Sequence, residues 1–492
     1  MMMMRLIQSC TPNSRGNHGG ITRLFRVLSF STQTLSSVNA SSSPVSASRD
    51  NLYSRISPLG DPNVSLLPIL DQWVEERGDI DRSELQRTIK MLRQFKRFTQ
   101  ALQVSEWMSN RSYPDLLPGD VAIQLNLISR VHGLEQAEQY FAKIPNDRRD
   151  FRVFCALLSC YAHATSLDKA EATMQKIQEL GFAKGPLPYI CMLNIYSQLG
   201  NTEKLDLLVH EMEEKGISFD KLAFNIQIKA YATVSDIKKM EMTLKKMEAD
   251  PMVSMDCKPY FIAANGYLKA GLIEKAFAVL KKSEHLITYK TRKLACEMLM
   301  TLYSRMGKKD EVYRVWNLCK KTGKVYNMSY LAVMSSLLKL GDLDGMVKIF
   351  EEWEATKTYV DLRIYNLLIS GYCRNGLLDK AESVINMILE SRKEPDAYTW
   401  NHLAVGYSKH NLMEKAVDAM KKAILISDPR WNPDLATLSA CFEYLNGKGD
   451  VEAMDFRTLL EEKGHFSIDM NGRLERCNKN GNPGSDEDLA EV

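Results

Sequence analysis

The 492-residue chain has no apolar run approaching ~18 residues, so the sequence predicts no transmembrane helix. Its ten cysteines stand at 10, 155, 160, 191, 257, 296, 319, 373, 441 and 477, and none forms a C-x-x-C pair. That spacing excludes zinc-finger readings and leaves the cysteines as small buried apolar residues. A phosphate-binding G-x-x-x-x-G-K-[ST], an H-E-x-x-H and a nucleophile elbow are all missing. So is the H-x-E…C-x-x-C signature of nucleotide deaminases. His163 and His210 are lone histidines, read as surface or packing residues. Met240-Glu241-Met242 and Met298-Leu299-Met300 read as core filler. No catalysis, metal or cofactor is predicted.

One sign of charge is missing locally. Residues 1–49 contain no Asp, Glu or Lys, but five arginines (Arg5, Arg15, Arg23, Arg26, Arg49) and eleven serines. That is the composition of an organellar transit peptide. The stretch Ile21 to Leu28 can place apolar residues on one helical face and arginines on another, and Arg23 and Arg26 break it as a secretory signal. Arg26 to Thr32 is similar to plant mitochondrial processing sites, with cleavage near Phe30. The mitochondrion is the predicted compartment, the chloroplast the alternative. The whole chain carries 64 cations and 61 anions, a balance of +3. Without the five N-terminal arginines, 59 cations face 61 anions. The apparent basicity is therefore an import signal, not evidence of a nucleic-acid binder.

What is present is a repeat. Tyrosines recur at 161, 196, 231, 267, 303, 372 and 407, with Leu337 in the one missing place. Four residues behind runs a second ladder: Thr165, Gly200, Ser235, Gly271, Gly307, Gly341, Gly376 and Asn411. Most of these residues tolerate the left-handed backbone that ends a helix. A third ladder, Ala170, Ala276, Ala381 and Ala416, lets helices approach closely. Each period reads as a helical hairpin. In the best copy, Ile364 to Tyr372 is a first helix that stops at Gly376, and Leu378 to Ile388 is a second. Pro395 disfavours helix in the residue before it. One hairpin cannot bury both faces but stacked hairpins can, so the expectation is an α-solenoid, not the three globular domains that length alone suggests.

A 34-residue period would suit tetratricopeptide repeats, and a 35-residue period pentatricopeptide repeats. The copy Leu362 to Asp396 is 35 residues long and carries Tyr-Asn-x-Leu-Ile-x-Gly-Tyr-Cys-x-x-Gly, closing on Pro-Asp. The next copy has Trp400-Asn401-x-Leu403-x-x-Gly406-Tyr407. These copies closely resemble pentatricopeptide repeats of the pure-repeat subclass, a family abundant in plant mitochondria and chloroplasts. The resemblance implies an all-α, right-handed solenoid superhelix of about eleven helix-turn-helix repeats over 82–469. It also implies a cap segment at 50–81, after the transit peptide at 1–49, and 470–492 reads as a disordered tail. Single-stranded RNA is the implied partner, bound by a monomer.

In that family the fifth residue of a repeat meets a base and the last residue orients it. The matching pairs are Asn225 with Asp256, Asn366 with Asp396, and Asn401 with Asp434, which the resemblance reads as favouring uridine. Ser439 with Asp469 is a weaker match towards a purine. The other seven units depart, with Gln86, Ile123, Cys155, Ile190, Phe261, Glu297 and Leu331 at the reading position. Arg363 and Tyr398 occupy the base-sandwiching position of the best copies. A separate row ends the first helices: Lys269, Arg305, Lys339, Arg374 and Lys409, five cations one repeat apart. Earlier units place Val131, His163, Gln198 and Thr233 there. Such a row suits a phosphate backbone, although a helix dipole favours terminal cations anyway. The functional expectation is an RNA-binding adaptor in transcript stability, processing or translation. The alternatives are a structural subunit of the plant mitochondrial ribosome and a peptide-binding scaffold.

Overall fold

The computed structural model describes residues 51–61, 64–77, 82–111, 117–321, 323, 325–357, 359–428 and 431–464. The predicted transit peptide and the 470–492 tail lie outside the described residues. Two compact units divide the chain, one ending at Ser254 and the other beginning at Met255.

Every regular element among the described residues is helical. The first unit opens with α1 (Leu52–Ile56) and α2 (Leu67–Arg77). Hairpins follow: α3 (Arg82–Gln94) with α4 (Phe98–Asn110), and α5 (Pro118–Val131) with α6 (Leu134–Lys143). Next come α7 (Phe151–His163) with α8 (Leu167–Glu179), and α9 (Pro186–Leu199) with α10 (Thr202–Glu214). The pair α11 (Lys221–Thr233) and α12 (Ile237–Ala249) completes this unit. The second unit pairs α13 (Lys258–Lys269) with α14 (Ile273–Glu284), and α15 (Arg292–Arg305) with α16 (Lys309–Lys320). It continues with α17 (Asn327–Lys339) and α18 (Leu343–Thr356), then α19 (Leu362–Arg374) and α20 (Leu378–Glu390). The last pairs are α21 (Ala397–Lys409) with α22 (Met413–Ile426), and α23 (Leu435–Lys448) with α24 (Asp450–Glu462).

Local chemistry sets these boundaries. Asp150, Asp220, Asp361, Asp396 and Asp434 each cap a first helix by accepting a backbone N–H. A cap of this kind contributes about 1 kcal/mol. All eight residues of the second ladder are left-handed, with φ from 53° at Thr165 to 73° at Gly271. That turn reverses the chain between the helices of each hairpin. At Thr165, Ser235 and Asn411 a side chain tolerates this conformation at some cost.

Burial separates two layers. Helix α9 buries ten successive residues, Pro188 to Ser197, whereas α10 buries only Leu205, Leu208 and Met212. In the second unit α13 buries Pro259 to Tyr267, and α14 only Ala276, Leu280 and Ser283. A helix covered all round lies inside; one with an apolar stripe lies outside. First helices accordingly stack on first helices, α5 on α7, α9 and α11 in turn, and α13 through to α23 in turn. The alanines of the third ladder are fully buried, all at 0% exposure.

Candidate nucleic-acid interface

The first helices carry Asn225, Asn366, Asn401 and Ser439, and Asp396 and Asp434 cap first helices. Asn366 is buried, and its Nδ2 donates to Asp396 Oδ1 at 3.3 Å. The Thr399 hydroxyl stands 2.8 Å from both Asn366 Oδ1 and Asp396 Oδ1. Asp396 also accepts the Thr399 N–H as the α21 cap. The pair is therefore joined through the helix cap of the following repeat. Asn401 is arranged differently. Its Oδ1 accepts the Asp434 N–H at 3.1 Å, and it is half-buried. Asp434 caps α23 through the Thr437 N–H.

Asn225 lies in the first unit and Asp256 in the second. Asn225 is 2% exposed, and its Oδ1 has no hydrogen-bond partner among the described residues. A buried carbonyl without a donor is costly, by about 1–3 kcal/mol. Asp256 accepts the Lys258 N–H at the start of α13. Ser439 is buried on α23, and Asp469 lies outside the described residues.

Five of the seven departing positions have a structural role. Ile190, Phe261 and Cys155 are core residues. Gln86 donates to Asp120 at 2.7 Å, and Glu297 accepts from Ser329 at 3.0 Å. Arg363, at a base-sandwiching position, is drawn back onto Asp361 at 2.6 Å.

The five cations share one structural position. Lys269, Arg305, Lys339, Arg374 and Lys409 are the final residues of α13, α15, α17, α19 and α21. Each precedes the left-handed residue of its hairpin by two places. The three lysines and Arg374 are exposed. Arg305 is half-buried and hydrogen-bonds the Asn265 side-chain oxygen, and burial lowers its pKa. The same position in the first unit is neutral in α9 and α11, whose turns follow Gln198 and Thr233.

The structure also reveals a clasp that the tyrosine ladder only half disclosed. Tyr196 donates to Glu171 at 2.9 Å while Lys204 donates to the same carboxylate at 2.6 Å. Asp206 takes Tyr231 at 2.5 Å and Lys239 at 2.6 Å. Glu382 takes Tyr407 at 2.6 Å and Lys415 at 2.8 Å. Each clasp ties the second helix of one repeat to both helices of the next. Its sequence signal was available: an acid 25 residues before the tyrosine and a lysine eight after it. Lys415 first, then Tyr407, hold the Glu382 carboxyl below its ordinary range.

Paired helices stacked layer on layer, in repeats of about 35 residues, define a helical-repeat protein of the solenoid class. Family comparison then specifies which. The PPR repeat family model matches residues 360–409, the pentatricopeptide repeat domain model matches 207–254, and PPR repeat models match 188–217, 328–355 and 398–424. A mitochondrial pentatricopeptide repeat-containing protein of Arabidopsis thaliana is 44% identical over 422 residues, 86% of each chain. The chain belongs to the pentatricopeptide repeat family. The Arabidopsis thaliana large ribosomal subunit protein mL101 is 40% identical over 83% of this chain and 84% of its own. The crystal structure of pentatricopeptide repeat protein PPR10 with an 18-nucleotide psaJ RNA element matches at TM-score 0.50 and 18% identity. That match covers 84% of this chain and 60% of PPR10, and it concerns the fold.

Proposed function

We propose that the protein is a non-catalytic, RNA-binding adaptor of the plant mitochondrion, acting in transcript stability, processing or translation. The observation that carries this reading is the row of five helix-terminal cations at one position of five successive repeats. A single strand laid along that row would meet one cation per repeat and lose affinity as salt rises. Base contacts are secondary. Asn366 is committed to a cap, whereas Asn401 retains an Nδ2 donor with no partner among the described residues. Asn401 is therefore the reading side chain best able to face a base without breaking the fold.

The similarity to mL101 supports a second reading, a structural subunit of the mitochondrial ribosome. There the same cations would meet ribosomal RNA backbone, and the departures at seven reading positions would carry no penalty. Sedimentation of tagged protein from mitochondria decides between them. A small, nuclease-sensitive particle fits the adaptor. Co-migration with ribosomal subunits through high salt fits the ribosomal reading and rejects the adaptor.

A further inference from the structure

One hairpin of the second unit breaks an aromatic pattern. Eleven residues before the left-handed turn residues of the second ladder, seven of the eight hairpins place an aromatic, among them Tyr189, Tyr260, Tyr330 and Tyr365. In α15 that place is held by Cys296, eleven residues before Gly307. The aromatic reaches across its own hairpin. Tyr189 donates to Glu211 at 3.2 Å, Tyr330 donates to Glu352 at 3.4 Å, and Lys282 Nζ lies 5.4 Å from the Tyr260 ring centre. Each of these partners stands eleven residues after its turn residue, and the next residue is buried: Met212, Ser283 and Trp353. On α16 that next residue is Cys319, twelve after Gly307.

The two cysteines therefore face each other at the open end of their hairpin. Residues equidistant from the hairpin midpoint trace the seam: Tyr303 with Val312, Leu299 with Trp316, and Cys296 with Cys319. All six are buried. Steps of three and four keep each set on one helix face. Cys296 and Cys319 are both thiols, hydrogen-bonded to each other. The next repeat packs against them. Its Tyr330 ring meets Trp316 edge-on at 5.1 Å, and its Ser329 donates to Glu297, beside Cys296, at 3.0 Å. The hydrogen bond from Cys296 first, then one from Ser329, holds the Cys319 thiol below its ordinary range against burial. That same bond raises Cys296, which keeps its proton. Elsewhere burial pushes Cys155, Cys373 and Cys441 up to about 12, which suits apolar filler. The thiolate is the reactive form, so oxidation selects Cys319.

We propose that Cys296 and Cys319 are a redox modification site, a dithiol that hydrogen peroxide converts to a disulfide across the open end of the α15–α16 hairpin. Cys319, 8% exposed near the end of α16, supplies the attacking thiolate. Its sulfur takes one peroxide oxygen as the O–O bond breaks, giving a sulfenic acid and a hydroxide. The proton that Cys319 had released turns that hydroxide into water. The Cys296 sulfur then displaces the sulfenic hydroxyl, the S–S bond forms, and the Cys296 proton leaves with the hydroxyl as a second water. Two thiols and one peroxide become one disulfide and two waters. The bond closes a loop from 296 to 319 around the turn at Gly307. It thereby stiffens the hairpin whose first helix ends at Arg305. The inference stands apart from the RNA-binding reading.

The test uses the reduced full chain, treated with hydrogen peroxide and then alkylated. Trypsin cleaves after Lys293, Arg305, Arg314 and Lys320, so the two cysteines fall in separate peptides, 294–305 and 315–320. Non-reducing mass spectrometry should find these peptides joined, two hydrogens lighter than their sum, and dithiothreitol should part them. Cys155, Cys373 and Cys441 should remain alkylatable once the treated chain is unfolded. Oxidation should raise the melting midpoint of wild type by roughly 5 °C and leave C296S and C319S unmoved. In C296S, Cys319 should instead be trapped by dimedone as a sulfenic acid. Peroxide that leaves both thiols intact, oxidises them no faster than Cys155, or carries Cys319 to a sulfinic acid without a bridge overturns the proposal. The wild-type peptide map needs no variant, so it decides the matter even if C296S or C319S fails to fold.

Discussion

The two units solve folding alike and charge differently. Both stack first helices inside and second helices outside, and both reverse each hairpin at a left-handed residue. Both use the tyrosine–acid–lysine clasp, at Glu171 and Asp206 in the first and Glu382 in the second. At the end of the first helix they part. The second unit puts one cation there in five successive repeats. The first unit has Gln198 and Thr233 in its later hairpins, and Arg130 beside His163 in its earlier ones. Core, turn and clasp set the hairpin geometry alike in both units. A dipole preference alone would place cations in both units equally.

That contrast can be broken. Reversing three charges with K339E/R374E/K409E should weaken single-stranded RNA binding by roughly 100-fold at moderate salt. The matched first-unit change, Q198E/T233E, should cost no more than a fewfold. Equal losses would show that the row has no special role. Filter binding on both variants decides it.

The shared geometry has its own tests. A Cβ at Gly406 would overlap Cys373 Sγ and Cβ on the neighbouring first helix. Gly406→Ala should destabilise the second unit by about 1–3 kcal/mol through overpacking. Denaturant titration measures it, and an unchanged midpoint contradicts the packing account.

A pH test separates the units again. His163 has its folded pKa lowered to about 4 against an ordinary value near 6.5. His402, in the second unit, is lowered to about 4 by burial above all. For a histidine with a depressed pKa, the unfolded chain takes up the proton first. Stability is then full above about pH 6.5 and is lost as pH falls towards 4. H163Q should flatten that loss in the first unit and leave the second unit's loss in place. Hydrogen exchange at pH 7.5 and 5 resolves the two, and equal flattening in both would refute the assignment.

The smallest effect belongs to the clasp. Tyr231→Phe removes a hydrogen bond to a charged acceptor and should cost about 1–2 kcal/mol. Lys239→Met should cost less than about 1 kcal/mol, because the ion pair is exposed. Thermal melts giving the reverse order would contradict this division.

Much of the fold was legible because a repeat states its rule many times. The ladders of tyrosine, left-handed residues and alanine each mark one constraint, and all eight turn residues adopt the left-handed conformation. The site was less legible. Asn366 and Asn401 look equivalent in the sequence, yet one is locked into the Thr399 cap and the other keeps a donor. That difference depends on which hydroxyl stands nearby in three dimensions. The clasps were missed because their acid lies one repeat away from the tyrosine it serves.

The central claim is that phosphates, not base edges, dominate binding through the second-unit row. The most direct measurement is the salt dependence of affinity for an unstructured single strand. Five contacts predict a slope of about −3.5 in log affinity against log salt, falling towards about −1.4 in K339E/R374E/K409E. A slope near zero in wild type, or one unchanged by the triple variant, would contradict the account.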